Sequence, residues 1–147
     1  PNATIVPIMV PPVATAHEVG AATARTVKVY GYDVVVIGTT DLTHYGPRYG
    51  FTPKGVGAQA HAWAKVDNDA RFIDGMVDMK ADEVVQEAAT RKNACSAGAV
   101  AATIAAAREL GATHGTLLKH TTSAEVSAVA EGEIADFVGY AGVVFSG

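Results

Sequence analysis

The sequence predicts an α/β layer architecture, a layered sheet with flanking helices in one domain. Three observations carry that expectation. Two continuous apolar runs of strand length lie near the N-terminus, three helical stretches follow between residues 57 and 110, and two more apolar runs close the chain. The implied order is β-α-β-α-α-α-β-β, with residues 1–147 as a single unit of ordinary domain length.

Residues 3–10 (ATIVPIMV) are apolar and β-branched and read as a buried strand. Pro7 inside the run points to an edge or a bulge, and Pro11 and Pro12 end it. Thr15 and Glu18 have the spacing of a capping box. The helix they open runs to about Tyr30, with Val19, Thr23, Val27 and Tyr30 on one face and Gly31 as its stop.

Residues 33–38 (DVVVIG) form a run typical of a central parallel strand. The polar, aromatic and glycine-containing stretch 39–51 follows it, in the place where α/β sheets keep their binding sites. Residues 57–77 read as a helix with Ala62, Val66, Phe72, Ile73 and Met76 as its apolar contacts. Asp67, Asp69 and Asp74 then make a solvated face. A second helix covers 81–91. A third, alanine-rich, covers 97–110 and closes at Gly111, its small side chains suited to close packing on a sheet. Residues 114–121 (HGTLLKHT) read as a strand, 123–136 as a loop, and 137–145 (FVGYAGVVF) as a last strand. About four strands would leave bare sheet edges, which favours an oligomer or a partner that finishes the sheet.

Composition narrows the function classes. Apolar residues make up 49% and charged residues 18%, enough for a core and unlike a disordered chain. A net charge of −4 without a Lys/Arg cluster argues against nucleic-acid binding. No apolar stretch approaches the roughly 20 residues that span a bilayer, so no membrane partner is expected. A charged segment followed by a long apolar run, the mark of a signal peptide, is not seen. Cys95 is the single cysteine, which rules out an intrachain disulfide and fits a reducing cytoplasmic setting.

The sharpest candidate cluster is TTDLTHYG, residues 39–46. Asp41 and His44, three positions apart, can converge on one ligand, or Asp41 can orient His44. Histidine suits both acid/base work and metal ligation. The competing reading is an Asp cap on a short turn with His44 merely hydrogen-bonded. Cys95 sits just before the Ala97 helix, where the dipole and free N–H groups favour thiolate, a nucleophile and metal ligand. From spacing alone, a small buried hydrophobe is the commoner fate of such a cysteine. His120, Thr121, Thr122 and Ser123 end a strand, where they line the same pocket or cap a turn. Tyr45, His120 and Ser123 are the candidate substrate contacts. His17 reads as a surface residue, His61 and Trp63 as packing or surface residues, and His114 as flanking a strand. No H-x-H, H-E-x-x-H or C-x-x-C spacing occurs, so no self-contained metal motif is present.

These segments resemble the motifs of the Memo-like family (AmmeMemoRadiSam system protein B). TTDLTHYG resembles the pattern S-S/T-D-(hydrophobic)-x-H-Y/W-G. Residues 93–98 (NACSAG) resemble the family's T-x-C-G segment, which opens a helix, and residues 106–111 (AARELG) look like the end of that helix. Residues 119–126 (KHTTSAEV) are similar to Y-x-T-S-x-D-V, and residues 138–145 (VGYAGVVF) to the closing V-G-Y-A-A strand. Asp69 and Ile73 fit D-x-x-x-I between the two main motifs. The matches keep the family's order and spacing over nearly the whole chain.

The resemblance implies a fold like that of class III extradiol dioxygenases, which use non-haem Fe(II). It implies a metal held by two histidines from an N-terminal half and one cysteine from a C-terminal half. Cys95 matches that cysteine, His44 the acid/base histidine beside the metal, and Asp41 the motif acid. On this reading the chain is a C-terminal half whose site is completed by an N-terminal half, in a separate chain or a cleaved segment. His17, His61, His114 and His120 do not match the ligand histidines. Ser96 stands where the family has glycine and His120 where it has tyrosine, changes that alter pocket polarity. A thiolate in place of the dioxygenase carboxylate shifts metal preference, so copper stands beside Fe(II). The functional expectation is a metal-dependent redox or oxygenase-like enzyme. The alternative is a non-catalytic module that binds a small molecule or peptide in the same pocket.

Overall fold

In a computed structural model, which describes residues 4–147, helices outweigh a small antiparallel sheet. Helix α1 (Ala16–Tyr30) is followed by the two-residue strand β1 (His44–Tyr45) and a short 3₁₀ turn at Pro47–Tyr49. A continuous helical rod comes next, made of α2 (Ala58–Trp63), a π-helical stretch (Ala64–Asp69) and α3 (Ala70–Val77). Then come α4 (Val84–Arg91), α5 (Ala97–Glu109), β2 (His114–Thr122), α6 (Ser123–Val126), a 3₁₀ turn (Glu131–Glu133) and β3 (Phe137–Ser146). The sheet order is β1-β3-β2, with both pairings antiparallel. β2 runs alongside β3 from His114↔Ser146 to Thr122↔Gly139, with an irregularity between Leu117 and Lys119.

Two expected strands are not strands. Residues 4–10 and 33–38 carry no ladder hydrogen bonds, and Ala3, the first residue of the expected N-terminal strand, lies outside the described residues. Both runs are β-branched and apolar, but a strand also needs a neighbour for its N–H and C=O groups. Among the described residues none lies alongside, and Ile5, Met9, Val35 and Ile37 stay exposed. The expected sheet of about four strands is therefore one of three, the first of only two residues.

Helix α5 is the element the rest leans on. Its Val100, Ala101 and Ile104 are buried with Leu42, Phe72, Ile73, Met76 and Val84 in the main core. Burying a side chain such as Phe72 contributes on the order of 2–3 kcal/mol. Small residues set the spacing around α5. A Cβ added at Gly98 would lie 2.3 Å from the carbonyl oxygen of Pro11, and one at Gly38 2.2 Å from Thr103 Oγ1. Both segments thus pass close against α5, the first at its backbone and the second at the Thr103 side chain.

α1 packs on α5 through Ala16, Gly20 and Ala24, not through the expected face. Val19 and Tyr30 are exposed, because small residues allow a closer approach than the larger apolar side chains would. Thr15 is the N-cap residue but makes no side-chain cap bond, whereas Gly31 closes the helix in the left-handed conformation. A Cβ at Gly20 would lie 1.7 Å from the carbonyl oxygen of Ala102. Helix propensity favours Gly20→Ala by about 1 kcal/mol, but the clash is with backbone that cannot step aside, at about 1–3 kcal/mol. Gly20→Ala is expected to lower stability in urea unfolding, and a stabilised variant would contradict this packing.

The π-helical stretch corrects a further expectation. One extra residue in a turn rotates everything around it by about 100°. Val66 is consequently exposed, as is Ala62, while Asn68 and Asp69 are fully buried. Asp69 is not on a solvated face. The segment after β2 also holds more than a loop. Thr122 and Glu125 form a full capping box, in which Thr122 accepts from the Glu125 N–H and the Glu125 carboxylate from the Thr122 N–H, and α6 follows. A second, smaller cluster of Tyr45, Ala60, Ala64, Ala124, Ile134 and Phe137 sits at this end of the sheet.

Candidate metal centre

β3 holds the chain on the approach to His44. The Leu42 N–H donates to the carbonyl of Gly139, the Gly139 N–H donates to that of Thr43, and His44 then pairs with Val138. A second tie fixes the cysteine. The Cys95 N–H donates to the Asp41 carbonyl at 3.1 Å, and the Asp41 N–H donates to Cys95 Sγ at 3.3 Å. Ser96 adds a third, its N–H donating to Thr40 Oγ1 at 2.9 Å. Two segments more than fifty residues apart in sequence are thus locked side by side where α5 begins.

The lock brings three donor types together. His44 Nε2 lies 3.3 Å from Asp41 Oδ2, and a ring nitrogen of His44, a carboxylate oxygen of Asp41 and Cys95 Sγ all fall within 4.8 Å of one another. Cys95 is exposed, and the His44 and Asp41 side chains retain 36% and 48% of their exposure, so a ligand can reach all three. The Tyr49 ring lies beside the imidazole, 5.1 Å between centroids. A thiol, an imidazole and a carboxylate form a mixed donor set suited to a transition metal rather than to Mg²⁺ or Ca²⁺.

The three candidate substrate contacts are each engaged elsewhere. Tyr45 is fully buried and stacks on Phe137 at 5.0 Å. Its hydroxyl donates to the Gly55 carbonyl and accepts from the Lys54 N–H. Ser123 Oγ accepts from the Val138 N–H. His120 Nε2 lies 3.1 Å from Asp69 Oδ2. Of the other histidines, His61 meets Thr122 Oγ1 at 2.8 Å, His17 lies 3.4 Å from Asp82, and His114 starts β2.

The sequence reading missed the polar group beneath the site. Asp69 Oδ1 accepts from both the backbone N–H and the hydroxyl of Thr43, the residue before His44. Its one sequence signal was the Asp69–Ile73 spacing. Burial pushes the Asp69 carboxyl above the ordinary carboxylate range, against the opposing bonds from Thr43 and His120. The folded chain then holds this proton more tightly than the unfolded chain. The contribution of Asp69 to stability therefore falls as pH rises from the ordinary carboxylate value to the raised one, and is level above it. In urea unfolding from acid to neutral pH, the wild type should lose stability relative to Asp69→Asn. A difference that stays flat over that range would exclude titration of Asp69 as its cause.

Residues 1–144 match the family profile described as "Memo-like protein". The chain is 34% identical over 131 residues to a MEMO1 family protein of Thermococcus kodakarensis, covering 88% of this chain and 44% of that one. It is 39% identical over 129 residues to a MEMO1 family protein of Methanothermobacter thermautotrophicus, covering 86% and 40%. A third, from Methanopyrus kandleri, is 35% identical over 133 residues, covering 89% and 40%. The chain spans less than half the length of these relatives. The family match runs through nearly all of it and does not by itself mark it as a C-terminal half. Among the described residues, no helix is long and apolar enough to cross a membrane.

Proposed function

Because the chain belongs to the Memo-like protein family, we propose that it forms one wall of a metal-dependent, non-haem iron-type redox or oxygenase-like centre. The observation that carries this reading is the convergence of Cys95 Sγ, an imidazole nitrogen of His44 and a carboxylate oxygen of Asp41 within 4.8 Å. Cys95 is the metal ligand of this chain. His44 is the acid/base group, held by the Asp41 carboxylate 3.3 Å away, and takes or gives a proton at Nε2. Bound there, iron or copper would supply Lewis acidity and electron transfer. The thiolate favours the softer end of that choice.

One thiolate does not fill a coordination sphere. On our reading the remaining ligands come from outside this chain, from an N-terminal half of the same fold. Two facts support this. The chain spans 40–44% of the length of the relatives compared above. Its two strand-like runs, at 4–10 and 33–38, lie outside any helix or strand, with Met9 98% and Val35 85% exposed. A layered, dioxygenase-like sheet would use both as strands. The substrate, a small molecule or peptide, approaches on the open side of His44 beside Tyr49. A lone exposed thiol also suits a reducing cytoplasmic setting.

Native mass spectrometry of the purified protein tests this assembly. The expected species carries a second polypeptide and one bound metal. A bare 15.1 kDa chain without metal would overturn the proposal.

A further inference from the structure

We infer that Thr43, Asn68, Asp69 and Asn93 form a buried positioning hub that sets His44 against Cys95. What His44 and Cys95 do rests on the metal-centre reading; the hub itself does not. All four side chains are fully buried. Asn68 and Asp69 end the π-helical stretch, which turns both inward. Asn68 Nδ2 donates to Thr43 Oγ1 at 3.0 Å and to the Arg91 carbonyl at 3.2 Å. Asn93 Nδ2 donates to the Asn68 carbonyl at 2.8 Å and to Glu87 Oε1 at 3.2 Å. Thr43 donates its N–H and hydroxyl to Asp69 Oδ1, so its one oxygen both receives from Asn68 and gives to Asp69.

The connectivity is what matters. Thr43 immediately precedes His44, and Asn93 lies two residues before Cys95. Both arms of the candidate site are thus referred to one residue, Asn68, and Asp69 beside it holds Thr43. Core stability alone does not account for the arrangement. Asn68 Oδ1 and Asn93 Oδ1 are buried without partners, a cost that apolar side chains of similar volume would avoid. Directional bonds fix the relative position of two segments more tightly than apolar contact does, and such tolerated costs gather at functional sites.

The test uses two readouts on the full chain as purified. One is the rate at which iodoacetamide alkylates Cys95 in metal-free protein. The other is Co(II) affinity, followed by the thiolate-to-metal absorption band. Thr43→Val keeps the shape and loses the hydroxyl, Thr43→Ser keeps the hydroxyl, and Asn93→Ala cuts the second arm. Ile134→Val, in the smaller cluster, controls for plain destabilisation. Thr43→Val and Asn93→Ala should each change the alkylation rate by roughly threefold or more and weaken Co(II) binding by about 10- to 100-fold. Thr43→Ser and Ile134→Val should stay near wild type in both. Should Thr43→Val not fold, Asn93→Ala decides by the same criteria. If the variants lose thermal stability as Ile134→Val does but keep wild-type alkylation and Co(II) affinity, the hub is only structural and the inference is overturned. If wild type takes up no Co(II) while alkylation still responds, the metal-centre reading fails and the hub stands.

Discussion

Cys95→Ser is expected to weaken iron or copper binding by at least about 100-fold, or about 2.8 kcal/mol at 1.4 kcal/mol per tenfold. Serine is nearly isosteric, so the Asp41 N–H keeps an acceptor in place of Sγ and the tie between the segments survives. What is lost is the soft, readily ionised donor. An alcohol does not ionise near neutral pH, and a neutral hydroxyl is a poor ligand for these metals. His44→Ala makes the contrasting case. It should hold the metal within about tenfold of wild type while losing about 10²- to 10⁴-fold of oxygen uptake with catechol as probe substrate, the usual range for one acid/base group. Isothermal titration under anaerobic conditions and an oxygen electrode give both values. Equal loss of metal in the two variants would make His44 a ligand rather than the proton carrier.

Gly139→Ala is expected to be strongly destabilising. A Cβ there would lie 2.1 Å from Asp69 Oδ2 and 3.1 Å from Leu42 Cβ, in a buried strand position with β1 on one side and β2 on the other. A methyl group on an exposed strand would be neutral or helpful. Here it must displace the carboxylate that holds Thr43 and His120, stranding a buried acid without its partners. Overpacking adds about 1–3 kcal/mol, and a buried polar pair that loses a partner about 3–5 kcal/mol. A total of at least about 3 kcal/mol is a large share of the 5–15 kcal/mol that typically stabilises a domain. Urea unfolding measures it. The double variant Asp69→Ala/Gly139→Ala should lose less than the sum of the singles by about 1 kcal/mol or more, because the clash has gone. Strict additivity would mean that Asp69 does not occupy the space over Gly139.

What could be read from the sequence was whatever is written locally. α1, α4, α5, β2 and β3 stand within a few residues of their expected places, because period, caps and the stop at Gly31 act over one or two turns. Residues 4–10 and 33–38 have the composition of strands, but pairing is a property of the neighbour, not of the run. Counting by 3.6 places Asp69 on a solvated face because it has no place for a π-helical turn, and the one extra residue puts Asp69 in the core. Asp41, His44 and Cys95 were legible as chemistry-bearing side chains at a strand end and a helix start. Their closeness comes from the pair of Asp41–Cys95 hydrogen bonds, one to the backbone and one to the thiol, which no residue type announces. Tyr45 looked like a ligand contact because it adjoins His44. Successive strand residues face opposite ways, and its hydroxyl found the backbone of Gly55 and Lys54 instead.

The central claim is that Cys95 binds the metal through sulfur beside His44 and Asp41. X-ray absorption at the metal edge of the reconstituted protein addresses it most directly. The account predicts one sulfur scatterer among nitrogen and oxygen neighbours, absent in Cys95→Ser. A shell of nitrogen and oxygen alone in the wild type, or spectra identical in the two proteins, would contradict it.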